Sequence, residues 1–181
     1  MIKKLFFAAL ASIIFIGAGC APTNSNEKTY TSPDGWSISY PQGWTLGAGT
    51  TLVRLKSPEE NGTSAEIQID YVLASSGASR TAESFLELDI KTMKVVRDYD
   101  EASLVAKVIA LPLGEAIRRD YSSEINGEPY LNSKVNFFKG GFGQAEGTKD
   151  TFFEIKFSNP EMIQQKYLND FETILNSLRF D

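Results

Sequence analysis

Between residues 30 and 181 apolar side chains recur mostly at every second position, which is the period of a half-buried strand. Trp36, Ile38 and Tyr40 fall on one face and Ser37 and Ser39 on the other, between a turn at Asp34-Gly35 and a break at Pro41-Gln42-Gly43 that delivers Trp44. Residues 51–56 and 65–73 read as two further strands joined by a turn at 58–62. In the second, Ala65, Ile67, Ile69, Tyr71 and Leu73 share a face, and Glu66, Gln68 and Asp70 face away from it. Residues 104–110 are apolar on both faces except for Lys107, a pattern that predicts a strand at the centre of the sheet. Asn126-Gly127 supplies the positive φ angles of a two-residue type I′ turn, so 115–125 and 128–138 form a hairpin. A loop over 139–150 leads to a strand at 151–157, and the second half of the chain is an antiparallel meander.

Two stretches keep a helical interval instead. Thr81 caps a helix over 82–97, with Glu83 in its first turn and Leu86, Ile90, Met93 and Val96 on one stripe beside Phe85. Asn159 as N-cap and Pro160 as first helical residue open a second helix, with Ile163, Tyr167, Phe171, Ile174, Leu175 and Leu178 along one face. The fold class is therefore α+β, a central antiparallel sheet flanked by helices. Trp36, Tyr40 and Trp44 are expected in its core, since alternation already buries Trp36 and Tyr40 on one face, the alternative being a groove for a peptide or sugar.

Residues before 30 have a different character. Lys3 and Lys4 precede an apolar run over 5–16 and the small residues Gly17-Ala18-Gly19, which is the layout of a secretory signal. The run is shorter than the roughly 20 residues of a membrane span. Gly17-Ala18-Gly19-Cys20 resembles the lipobox of bacterial lipoproteins, which implies acylation of Cys20, the one cysteine of the chain. Several acyl chains on one residue make anchoring stable where a single chain is marginal. Residues 1–19 are then a signal peptide, 20–29 a lipidated Cys and flexible tether, and 30–181 the folded domain. Ala21, and not Asp, follows the Cys. An extracytoplasmic, lipid-anchored location follows, with the cytoplasmic and the outer membrane both open.

Composition narrows the chemistry. After residue 19 the chain holds 16 basic and 23 acidic residues, a net charge of −7, which argues against nucleic acid and against a polybasic membrane footprint. No His is present, which removes the commonest general base and metal ligand. The one Ser-x-x-Lys match, Ser25 to Lys28, lies in the tether. Asp120 and Glu124 share a strand face but stand about 13 Å apart along it, too far for a glycosidase pair at roughly 5 to 9.5 Å. Asp98, Asp100 and Glu101 are the densest acidic run; as a calcium loop it fails at Ser103 and Ile109, which leaves a weak Ca²⁺ site as the most it offers. Arg118 and Asp120 share a face and pair, reading as an exposed polar sheet patch. With Phe142, at the tip of the glycine-rich loop Gly140-Gly141-Phe142-Gly143, they are the candidate partner-binding residues.

Ser32-Pro33-Asp34-Gly35-Trp36-Ser37-Ile38-Ser39-Tyr40-Pro41-Gln42-Gly43-Trp44 resembles the opening of PsbP-like domains. Leu111-Pro112-Leu113-Gly114-Glu115-Ala116 with Tyr121 resembles their middle strand pair, and 171–180 their closing helix. The resemblance implies a PsbP-like α/β/α sandwich and no reaction. Members are mostly non-catalytic binding or assembly proteins. Metal binding in plant relatives relies partly on His, so no metal site or cofactor carries over. The expectation is a non-catalytic module for another envelope protein; the alternative is a binder of a lipid, peptide or glycan in a pocket between sheet and helix, and an enzyme comes third.

Overall fold

The computed structural model describes residues 26–49, 52–73, 103–139 and 151–180. They form ten strands in two antiparallel sheets and one α-helix. The small sheet has the order β1-β2-β10, from β1 (Glu27–Ser32), β2 (Trp36–Pro41) and β10 (Arg179–Phe180). The large sheet has the order β3-β4-β5-β9-β8-β7-β6. Its strands are β3 (Thr45–Ala48), β4 (Leu52–Lys56), β5 (Glu66–Leu73), β6 (Val105–Leu111), β7 (Gly114–Ile125), β8 (Glu128–Lys139) and β9 (Thr151–Pro160). A 3₁₀ turn at Glu161–Ile163 leads into α1 (Gln164–Ser177).

The expected alternations hold. Trp36, Ile38 and Tyr40 are buried, as are Ala65, Ile67, Ile69 and Tyr71, and Trp44 joins them in the core. The meander β6-β7-β8-β9 is present in sequence order. Asn126 (φ 54°) and Gly127 (φ 84°) make the β7–β8 turn, and Ile125 faces Glu128 across it. An alanine Cβ at Gly127 meets nothing within 4 Å, so Gly127→Ala costs only the backbone strain of its positive φ. The expected loss is about 1 kcal/mol in urea unfolding.

The core lies between one face of the large sheet and a layer made of the small sheet and α1. Ile163, Tyr167, Phe171, Ile174, Leu175 and Leu178, the stripe expected from sequence, are all buried. The helix is tied to the small sheet where the Ser39 N–H donates to Ser177 Oγ at 2.8 Å. It is tied to the segment after β2 where Trp44 Nε1 donates to Asp170 Oδ2 at 2.8 Å. Tyr71 donates to the Asp34 carboxylate from the large sheet, and burial together with that carboxylate pushes its hydroxyl up to about 12.

Three expectations are corrected. Residues 104–110 form an edge strand: among the described residues β6 pairs with β7 alone, and Val105 and Val108 are 58 % and 67 % exposed. The reason is topological. Hairpins at both ends of β7 occupy both of its edges and leave β6 with one paired edge among the described residues, and apolar composition reports a tendency to be covered without saying by what. Asn159 and Pro160 do not cap α1; they end β9, opposite Leu131 and Tyr130 of β8, and Ile163 stands at the helix cap with no side-chain hydrogen bond. The twelve-residue β8 gives β9 a ladder long enough to extend beyond Phe157. Glu27, Lys28 and Thr29, read as the end of the tether, are the first residues of β1 and pair with Pro41, Tyr40 and Ser39. The short strands β3 and β10 were not anticipated. The helix expected over 82–97 lies outside the described residues.

A candidate binding cleft between sheet and helix

Cross-strand register builds the site. One row of side chains on the core face runs Val53, Ile69, Ile155, Val135, Arg118, Lys107 across β4, β5, β9, β8, β7 and β6. The next runs Leu55, Ile67, Phe157, Ser133, Asp120, Val105. Both rows are apolar across β4, β5 and β9 and turn polar on β8 or β7, the first ending on Lys107 and the second on Val105. The change of character marks a cleft of about 470 Å³ between the β7–β8–β9 face and α1.

The floor of the cleft is an ion-pair network around Arg118. Arg118 Nε donates to Asp120 Oδ1 at 2.7 Å, Nη2 to Ser133 Oγ at 3.1 Å, and Nη1 to Glu172 Oε1 on α1. Ser133 Oγ donates in turn to Asp120 Oδ1, and Lys107 Nζ stands 3.4 Å from Asp120 Oδ2. Phe171 of α1 stacks on Phe157 of β9 with centroids 4.6 Å apart, and the Arg118 guanidinium lies 5.4 Å from the Phe171 centroid. Burial alone would push the Asp120 carboxyl up, but the bonds from Ser133 and Arg118 and the charge of Lys107 outweigh it and hold the group below its ordinary range. Burial also opposes the Arg118 charge, and the Glu172 and Asp120 carboxylates more than offset it. Leu131, Phe157 and Leu168 supply an apolar wall.

Arg118 and Asp120 thus pair as expected, but not as an exposed patch. Arg118 is 8 % exposed, because α1 closes over it with Phe171 and Glu172. The sequence reading missed Lys107, Ser133, Glu172 and Leu168. Two of these were within reach: counting outward from Asn126-Gly127 places Ser133 opposite Asp120, and counting outward from the Pro112-Leu113 turn places Lys107 opposite Arg118. Glu172 and Leu168 needed the docking angle of α1. Cys20, Asp98, Asp100, Glu101 and Phe142 lie outside the described residues.

On the opposite sheet face, Glu154 accepts from Lys156 at 2.7 Å and from Asn136 Nδ2 at 3.3 Å, with buried Lys134 Nζ at 3.4 Å. Burial would raise the Glu154 carboxyl, and the two lysines with Asn136 outweigh it and hold it below the ordinary range. Among the described residues no group of three or more His, Cys, Asp or Glu is arranged to hold a metal ion.

No protein-family model and no curated protein matches the sequence. Solved structures do match it in fold. LpqN of Mycobacterium tuberculosis, a protein involved in cell envelope biogenesis, superposes with a TM-score of 0.58 at 10% identity over 84% of this chain and 88% of its own. Cyanobacterial PsbP from Synechocystis gives 0.53 at 17% identity over 92% and 99% of the two chains. A Pseudomonas aeruginosa protein of unknown function gives 0.54 at 13% identity over 86% and 98%.

Proposed function

We propose, for a chain that folds as a PsbP-like domain, a non-catalytic binding module held at a bacterial envelope membrane by lipid on Cys20, seating its ligand in the cleft between sheet and helix. The observation that carries this reading is the cleft itself. About 470 Å³ lies in the range of small-ligand sites, and a charged floor beside an apolar wall is the composition such sites use. The lipobox-like Gly17-Ala18-Gly19-Cys20 supports the anchor, and the envelope role of LpqN, a neighbour in fold, supports the setting. The absence of His and the mutual engagement of the cleft's charges support binding over catalysis.

A second reading, a partner protein of the envelope, is favoured by the β6 edge. Val105 and Val108 point to opposite faces and are both exposed, and an edge unpaired among the described residues offers backbone groups to an added strand. In either case tethering confines the search to the membrane surface and raises the effective concentration of ligand or partner.

Cys20→Ser separates anchor from cleft. The expected result is release of the protein from the membrane pellet into the soluble fraction with ligand binding retained; a variant that still pellets removes acyl anchoring from this account.

A further inference from the structure

The charges in the cleft form one alternating row of contacts, Lys107 to Asp120, Asp120 to Arg118 and Arg118 to Glu172, with Lys107 also opposite Arg118 across the β6–β7 ladder. Its two interior members are held on both sides. Its two ends are open, since 50% of the Lys107 side chain and 41% of the Glu172 side chain remain exposed, each with one ion-pair partner among the described residues. Two cations and two anions cancel, so the row as a whole attracts neither sign. A ligand of single charge gains at one end and is repelled at the other. A ligand carrying both signs prolongs the alternation at both ends and leaves no charge of the row without a counterpart.

The space beside the row narrows the class further. Leu131, Phe157 and Leu168 form an apolar wall along one side of the charges, which suits a molecule with charged termini and an apolar side group between them. A lipid chain needs an apolar lining all round, and here the hydroxyls of Ser122 and Ser133 and the four charged side chains make up much of the surroundings. A neutral glycan leaves both ends of the row unanswered.

We propose that the cleft binds a short zwitterionic peptide, its carboxylate on Lys107, its ammonium on Glu172 and an apolar side chain against Leu131 and Leu168. The proposal rests on the cleft being a binding site, as argued above.

Calorimetric titration of the full chain in mild detergent with alanyl-leucyl-alanine, its N-acetyl form, its C-terminal amide and the doubly capped form tests it. The free tripeptide is expected to bind, and each cap to weaken binding at least tenfold, about 1.4 kcal/mol. Glu172→Gln should abolish the distinction between free and acetylated forms, and Lys107→Met that between acid and amide. Both side chains are half exposed, so both variants are expected to melt close to the parent. A doubly capped tripeptide that binds as tightly as the free one overturns the proposal. So does binding of a diacetylchitobiose or lysophospholipid probe with no tripeptide binding, although the cleft then remains a binding site. Failure of all three probe classes overturns both readings.

Discussion

Phe153→Ala is expected to lower the unfolding free energy by about 4 kcal/mol, the largest single loss foreseen in this domain. Phe153 is fully buried near the start of β9. Its ring stacks on Phe137 of β8 at 5.1 Å and on Tyr71 of β5 at 5.5 Å. It meets Phe180 of β10 edge-on at 5.1 Å and Trp36 of β2 at 6.2 Å. Those last two contacts cross from the large sheet to the small one, so truncation opens a cavity at the seam between them. The cost combines lost transfer free energy with a void that four rigid rings fill poorly. Domains of this size are typically stable by about 5 to 15 kcal/mol, so the variant keeps a fraction of its margin. Phe153→Leu, which retains most of the volume, should cost about 1 to 2 kcal/mol. Urea unfolding of the three proteins measures both; an Ala variant within about 1 kcal/mol of the parent means that this ring cluster does not join the sheets.

Arg118→Ala is expected to cost about 3 kcal/mol, and for a different reason. The change takes the guanidinium from Asp120 and Ser133 in the partly closed floor of the cleft, leaving Asp120 with Ser133 and Lys107 among the described residues, and frees Glu172 to return to water. Removing both partners is expected to cost less than removing one, so Arg118→Met with Asp120→Leu should recover much of the loss. If the double variant is as unstable as the sum of the singles, the network is not a coupled unit.

This network and the separate Glu154 cluster on the opposite sheet face set the acid limit of stability. Asp120 and Glu154 both have folded carboxyls held below their ordinary values of 3.8 and 4.5. Each therefore binds its proton more tightly in the unfolded chain. Their contribution is fully present above the ordinary values and is lost as pH falls through the lower folded ones. Urea midpoints should be flat on the acid side down to about pH 5 and then fall, and Arg118→Ala should flatten the Asp120 part of that fall.

Strand identity and register were legible because two short turns settle them. Asn126-Gly127 and the Pro112-Leu113 turn each fix a pairing that propagates outward residue by residue, so Lys107, Arg118, Asp120 and Ser133 are neighbours by counting alone. What counting does not supply is which strands are outermost and how a helix lies over a sheet. The apolar run of β6 looked central because composition carries no record of neighbours. Asn159-Pro160 looked like a helix start because the same two residues suit the end of a strand when a long partner such as β8 continues alongside. The burial of Arg118 depends on Phe171 and Glu172 arriving from a helix about 50 residues away in sequence, a long-range contact that no local pattern encodes.

The measurement that tests the account most directly is an NMR titration of the methyl-labelled full chain with alanyl-leucyl-alanine. Shifts concentrated at the methyls of Leu131 and Leu168, with those of Val53 and Ile174 in the covered core unmoved, are the predicted result. Shifts centred instead on Val105 and Val108 at the β6 edge, or none at Leu131 and Leu168 with the tripeptide, diacetylchitobiose and lysophospholipid alike, would contradict a binding cleft between sheet and helix.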